Sequence, residues 1–219
     1  MESLRQNLRR RLFLENAVPQ GTEDCVNEII AQLLGEHRNL GKLVELLDRL
    51  PVDTNYPKLG EITLLVDVFA YLTCFPDLRH HPLEDRIVAR LLARGMLAAD
   101  VAGEIDRQHR VLARQGTDLM RDLESAAREE STSWQGAASS ARLYAERLRQ
   151  NMATEELAVF PVAEVSLGEA DWQAIAALSP PLPEDPLFVS RTEKRFADLR
   201  RVIAAQAGCD CFENPGVGR

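Results

Sequence analysis

No stretch of this sequence stays apolar long enough to cross a membrane, and Leu12 to Leu14, which follow Arg9, Arg10 and Arg11, are too few for a signal-peptide core. The expectation is a cytoplasmic protein without membrane contact. Basic side chains are in the minority, 26 Lys and Arg against 34 Asp and Glu. No basic face interleaved with aromatics stands out, so a nucleic-acid backbone would find little to neutralise. Cysteine is scarce as well. Cys25 and Cys74 stand alone in helical patterns and Cys209 and Cys211 form a lone Cys-x-Cys, which is neither a disulfide framework nor a four-cysteine zinc pattern; reduced thiols are expected. Strand-like alternation is rare, and no solenoid repeat or low-complexity tract is visible.

What is abundant favours helices. The 219 residues are 45% hydrophobic and 27% charged and rich in Ala, Leu, Arg and Glu. Apolar residues recur every three and four positions. The first such pattern covers residues 23–50, with Thr22 as an N-cap candidate, Pro51 as a stop, and Leu33, His37, Leu40, Val44 and Leu47 on the inward stripe. A second begins near Gly60, carries Leu64, Val68, Tyr71 and Phe75, breaks or kinks at Pro76, and resumes towards Gly95. The third, which Asp100 is placed to cap, reaches residue 130 with Val101, Ile105, His109, Leu112, Leu119 and Leu123 inward. The fourth follows Ser131, Thr132 and Ser133, runs to residue 165, and aligns Tyr144, Leu148, Asn151, Glu155 and Val159. Four long amphipathic helices on short links predict an all-α, antiparallel four-helix bundle over residues 23–167. Residues 1–22 read as an N-terminal extension. Residues 168–219 read as a C-terminal helical extension: a short helix anchored by Trp172, a Pro-rich turn over 180–186, a last helix over 191–207 and a disordered tail from Asn214.

Polar residues occupy places where the stripes demand core residues. Histidines lie on the inward face of three helices, and Glu84 and Glu155 add carboxylates. Burying an uncompensated carboxylate is so costly that it would normally protonate, whereas a bound cation offsets its charge and orders imidazoles beside it. His80 and Glu84 are one turn apart and project to one side; Asn151 and Glu155 repeat that spacing. His37 and His109 supply one nitrogen each from the other two helices. Imidazole with carboxylate suits iron, manganese or zinc better than calcium. Iron leads because two carboxylates can bridge two ions. His81 and Asp85 share the spacing of His80 and Glu84, so both pairs stay open; His80 and Glu84 are preferred as the inward pair, with His81 and Asp85 as supporting or alternative ligands. Met120, Met152 and Phe160 read as core packing.

Four motifs come in a recognisable order: Glu36-His37-Arg38-Asn39-Leu40, then His80-His81-Pro82-Leu83-Glu84-Asp85, then Gln108-His109-Arg110, then Asn151-Met152-Ala153-Thr154-Glu155-Glu156 with Val159-Phe160-Pro161. Over residues 23–167 this resembles the hemerythrin-like, HHE cation-binding family. Asp171-Trp172 and Asp185-Pro186-Leu187-Phe188 resemble the tail of its bacterial members. The resemblance implies two non-haem irons inside an antiparallel bundle, with Glu84 and Glu155 as bridges, His37 and His80 on the first ion and His109 on the second. It further implies oxygen binding, oxygen or iron sensing, or a role in nitric-oxide or peroxide stress. The family's fourth motif begins with histidine where this chain has Asn151, a neutral amide and a weaker ligand, so a weakened second site and single-metal occupancy are expected. Asp106 and Tyr144 could lend oxygen, although a surface carboxylate and a core tyrosine are the plainer readings.

The leading expectation is therefore a metal-binding sensor or carrier for a small diatomic ligand or oxidant, with iron as a diiron or mononuclear centre and manganese or zinc as substitutes. The alternative is a degenerate family member, with one metal or none, acting as a structural or protein-interaction module. No catalytic acid, base or nucleophile is identifiable beyond the ligands, which ranks an enzyme lowest. A homodimer is left open.

Overall fold

The computed structural model describes residues 27–49, 59–127, 134–177, 185–188 and 194–207. Among the described residues every regular element is helical. Thr22, Pro51, Ser131 to Ser133, Cys25, Cys209, Cys211 and the tail from Asn214 lie outside them.

Helix α1, Glu28–Asp48, is capped within the described residues by Asn27, whose Oδ1 accepts the Ile29 amide at 2.9 Å. It buries Leu33, His37, Leu40, Val44 and Leu47, the stripe expected from periodicity. Helix α2, Leu59–Phe75, leads into a π-helical turn, Pro76–His80, and then α3, His81–Ala93. Pro76 therefore does not break the helix. It stands at the first position of the wide turn, with no N–H to give the carbonyl four residues back, and its own carbonyl accepts the His81 amide five residues on. Helix α3 ends on Gly95, at φ 68°. The Gly95 amide bonds Leu92 O and the Met96 amide bonds Leu91 O, a Schellman closure that needs a residue at ease in the left-handed region.

Helix α4, Ala99–Ala127, places Asp100 inside its first turn. Helix α5, Trp134–Ala158, does not continue unbroken to residue 165: it is interrupted at Val159, and α6, Phe160–Ser166, follows. Pro161 has no N–H for the carbonyl four residues back, which accounts for the interruption. Helix α7, Glu169–Ala177, and a 3₁₀ turn, Lys194–Phe196, running into α8, Ala197–Ala207, complete the described elements. Helix α1 packs on α5, α5 on α4, and α4 on both α2 and α3, so these helices enclose one bundle interior. No helix of the described residues is long and apolar enough to cross a membrane.

The interior holds two apolar clusters. One gathers Leu40, Leu47, Phe69, Tyr71, Leu112, Tyr144 and Leu148 with Leu187, Phe196 and Leu199 from the C-terminal part. The other gathers Leu33, Leu83, Ile87, Ile105, Val159 and Phe160 with Trp172 and Ile175. Along α1, His37 falls between Leu33 of one cluster and Leu40 of the other; His109 falls likewise between Ile105 and Leu112, and Glu155 between Met152 and Val159. A polar layer thus crosses the bundle between two oily ones. Trp172 packs in the second cluster, and the neighbouring Asp171 takes Arg90 Nε at 2.6 Å, Arg94 Nη2 at 2.9 Å and the Gly168 amide at 3.0 Å. Asp185 receives the Tyr71 hydroxyl at 3.0 Å and the amides of Leu187 and Phe188, which seats Leu187 in the core.

Candidate metal centre

The chain has four histidines, and all four are buried in the polar layer together with Glu84, Glu155 and Asn151. Glu84 Oε1 lies 3.1 Å from His37 Nε2 and 3.2 Å from His80 Nε2, while its Oε2 lies 3.6 Å from His109 Nε2. Glu155 spans the layer the other way: Oε1 is 2.9 Å from His109 Nε2 and Oε2 is 3.5 Å from His37 Nε2. The His81 ring stacks on that of His109 with centroids 4.3 Å apart. Two triads have ligand atoms all within 4.8 Å of one another, His37–His80–Glu84 and His81–Glu84–His109, and they share Glu84.

Both consecutive histidines enter the layer. In a regular α-helix adjacent residues are about 100° apart around the axis, which is why sequence spacing offers His80 with Glu84 or His81 with Asp85 as alternatives. The π turn ends on His80 and its widened circuit lets both rings face inward. Asp85 does not join them; it is exposed and bonds the far nitrogen of His109 instead. Asp106 is exposed and paired with Arg110. Tyr144 packs edge-on against Phe69 in the first apolar cluster.

Each imidazole is held from behind by a carboxylate. Nδ1 of His37 meets Glu156 at 2.9 Å, that of His80 Glu36 at 2.7 Å, that of His81 Asp77 at 3.2 Å, and that of His109 Asp85 at 2.9 Å. A carboxylate only accepts, so each Nδ1 carries a proton, and a ring that holds no second proton turns its Nε2 lone pair into the layer. Of these supports, sequence reasoning had singled out Asp85 alone, and attached it to His81. Glu36, Asp77 and Glu156 were missed; spacing gives a faint signal, since Asp77 precedes His81 by one turn and Glu36 and Glu156 adjoin inward residues.

The electrostatics follow from that arrangement. Lone pairs of Nε2 and of carboxylate oxygens face each other at hydrogen-bond distance, which is tolerable only with a cation, a proton or a metal ion, between them. With protons alone, burial opposes charging His80 and His109, but Glu84 and Glu36 push the first up to about 10, and Asp85 and Glu155 the second up to about 10. Burial likewise opposes charging His37, yet Glu84 raises it. Glu84 resists its own burial through His80 and His37 and is held well below the ordinary range, whereas burial and the charge of Glu84 push Glu155 up to about 7. Burial lowers His81, Asp77 notwithstanding, so its ring is neutral. Among the described residues, three buried side-chain atoms have no hydrogen-bond partner, His81 Nε2, Glu84 Oε2 and Glu155 Oε2. These orphans are all potential metal donors, and the donor set of imidazole nitrogens and carboxylate oxygens fits a transition-metal cation.

The model of the hemerythrin HHE cation binding domain matches residues 28–163, the stretch that supplies every inward histidine and both carboxylates. Neither a curated protein nor a solved structure matches the chain. The His and Glu cluster, the helical bundle around it and the match over more than half of the sequence lead to one assignment: the chain belongs to the hemerythrin HHE cation-binding domain family.

Proposed function

We propose that this layer holds two iron ions, with His37 and His80 on the first, His81 and His109 on the second, and Glu84 and Glu155 between them, and that the protein binds or senses a small diatomic ligand or oxidant. The observation that carries the reading is the pairing of imidazoles on either side of two carboxylates, each of which turns one oxygen to each pair. The expectation of a poorly liganded second ion counted His109 alone; the inward His81, with its orphan Nε2, gives that side a second imidazole.

Iron held by these residues would supply reversible one-electron chemistry and a place for a small ligand to bind. The residues of the chain do the rest. Glu36, Asp77, Asp85 and Glu156 fix the tautomer and direction of the four rings. The apolar clusters above and below keep water out, with Phe160 5.4 Å from the His37 ring. The test is elemental analysis of anaerobically purified protein with visible spectra before and after air. Two irons per chain and a spectrum that changes on exposure are expected. Protein free of transition metal, with no uptake on reconstitution, would leave the interaction-module reading in its place.

A further inference from the structure

Asn151 sits where a ligand histidine is expected, yet its amide nitrogen, not its oxygen, faces Glu155. Nδ2 is 2.8 Å from Glu155 Oε1 and 3.3 Å from Gln108 Oε1. Which end of each amide faces which neighbour follows from an anchor at the bundle surface. Glu104 accepts Arg107 Nε at 2.9 Å and Arg107 Nη2 at 2.6 Å, and its Oε1 also takes Gln108 Nε2 at 2.8 Å. The Arg107 hydrogen bonds hold the Glu104 carboxyl below its ordinary range, so it is ionised and can only accept. Gln108 must therefore turn its NH₂ outward and its carbonyl inward. Asn151 must then answer that carbonyl with its own NH₂, whose second hydrogen goes to Glu155. Glu155 Oε1 thereby accepts Asn151 Nδ2 and faces His109 Nε2 at 2.9 Å, while Oε2 has no hydrogen bond.

On the reading that the layer holds two ions, we propose that Asn151 is a positioning residue and not a ligand: the Glu104–Gln108–Asn151 chain locks the rotation of Glu155, leaving Oε2 and one lone pair of Oε1 for the cations. The histidine missing from the fourth helix is made good by His81, and the amide in its place orients the shared carboxylate. None of Glu104, Gln108 or Arg107 belongs to either metal triad, so Gln108 can be altered without touching a candidate ligand.

The experiment is an anaerobic titration of metal-free full-length protein with cobalt(II), followed by visible d–d absorption and by competition with a chromophoric chelator. Wild type is expected to take up two equivalents. Gln108→Leu should weaken one of them by about ten- to a hundredfold and alter its absorption, as loss of support to a metal-bound carboxylate does. Asn151→Leu should do the same, and the double variant should be no weaker than either single one, because both break the same chain. The exchange Glu104→Gln with Gln108→Glu reverses the polarity of the surface link and keeps an acceptor for Asn151 Nδ2, so it should restore the lost affinity; circular dichroism of the same samples reports the fold. If Gln108→Leu does not fold, Glu104→Ala at the surface should give a smaller loss in the same equivalent. Two outcomes overturn the proposal alone: cobalt binding by a folded Gln108→Leu or Glu104→Ala that matches wild type, or a wild type limited to one equivalent that Asn151→His raises to two. A wild type that takes up no cobalt overturns the two-ion reading along with it.

Discussion

Glu84 is fully buried and touches three imidazoles, one oxygen facing His37 and His80 and the other His109. Replacing it by glutamine keeps the shape but removes the charge that every neighbour depends on, and an amide nitrogen cannot bind a cation. Glu84→Gln is therefore expected to weaken both ions, by at least the ten- to hundredfold typical of losing mere support to a ligand, and elemental analysis should find well under one metal per chain. Metal content equal to wild type would remove Glu84 from the ligand set. At this scale the sequence was informative wherever burial made a residue type costly. His37, His109, Glu84 and Glu155 stand on apolar stripes, and all four are buried. Glu156 and Asp77 were not legible, because a carboxylate that is partly exposed, as Glu156 is at 44%, has the pattern of a solvated helix face. Their role exists only once the fold has set them against an imidazole nitrogen.

Helix α4 approaches α2 closely at Gly116, where an added Cβ would come within 2.8 Å of Thr73 Cγ2 and 3.5 Å of Tyr144 Cε2. Two effects compete there. Alanine is the better helix former by roughly 1 kcal/mol, but forcing a methyl into a filled contact costs roughly 1–3 kcal/mol. Gly116→Ala should thus lower stability in urea unfolding. In a Thr73→Ser background, which removes the methyl and keeps the hydroxyl bonded to Phe69 O at 2.7 Å, the same change should become neutral or stabilising. An unchanged sign in the two backgrounds would mean the helices part easily and the contact is not limiting. The elements themselves were largely readable: the stripes on α1, α4 and α5 are the buried residues the spacing marks out, except that Val101 on α4 is only half-buried and Val159 falls just beyond the end of α5. The π turn was not. A period of 3.6 has no place for one extra residue in a circuit, so Pro76 read as a break and His80 and His81 as rivals. The interruption at Val159 escaped for a similar reason, since the apolar spacing runs on through it and Val159 still bonds Glu155 O and the Ala163 amide, while Pro161 has no N–H for the carbonyl four residues back.

Across the whole molecule, the polar layer separates two apolar clusters and is the part of the core whose stability depends on cations. His80 and His109 are raised from the ordinary 6.5 to about 10, so the stability their protonation lends to the metal-free fold is complete below about 6.5 and disappears as pH climbs through about 10. Glu155 is raised from 4.5 to about 7. Its raised value means that ionisation costs the fold something as pH rises from 4.5 through 7, which acts in the same direction. His81 and Glu84 are lowered and act in the opposite direction, but only below their ordinary values, so from about pH 6.5 upward the metal-free protein should lose stability steadily. A metal ion takes the place of these protons, and its affinity grows as proton competition falls. Binding to the folded state alone adds RT ln(1 + [L]/Kd), about 2.7 kcal/mol at a hundredfold excess over Kd. The gap in Tm between loaded and metal-free protein should thus widen between pH 6 and pH 8. Calorimetric titration in buffers of different ionisation enthalpy should show protons leaving as metal enters. A gap that stays constant or narrows, with no proton release, would mean that the imidazoles are not the groups the ion displaces protons from, and that the charge balance of the layer is met by some other arrangement.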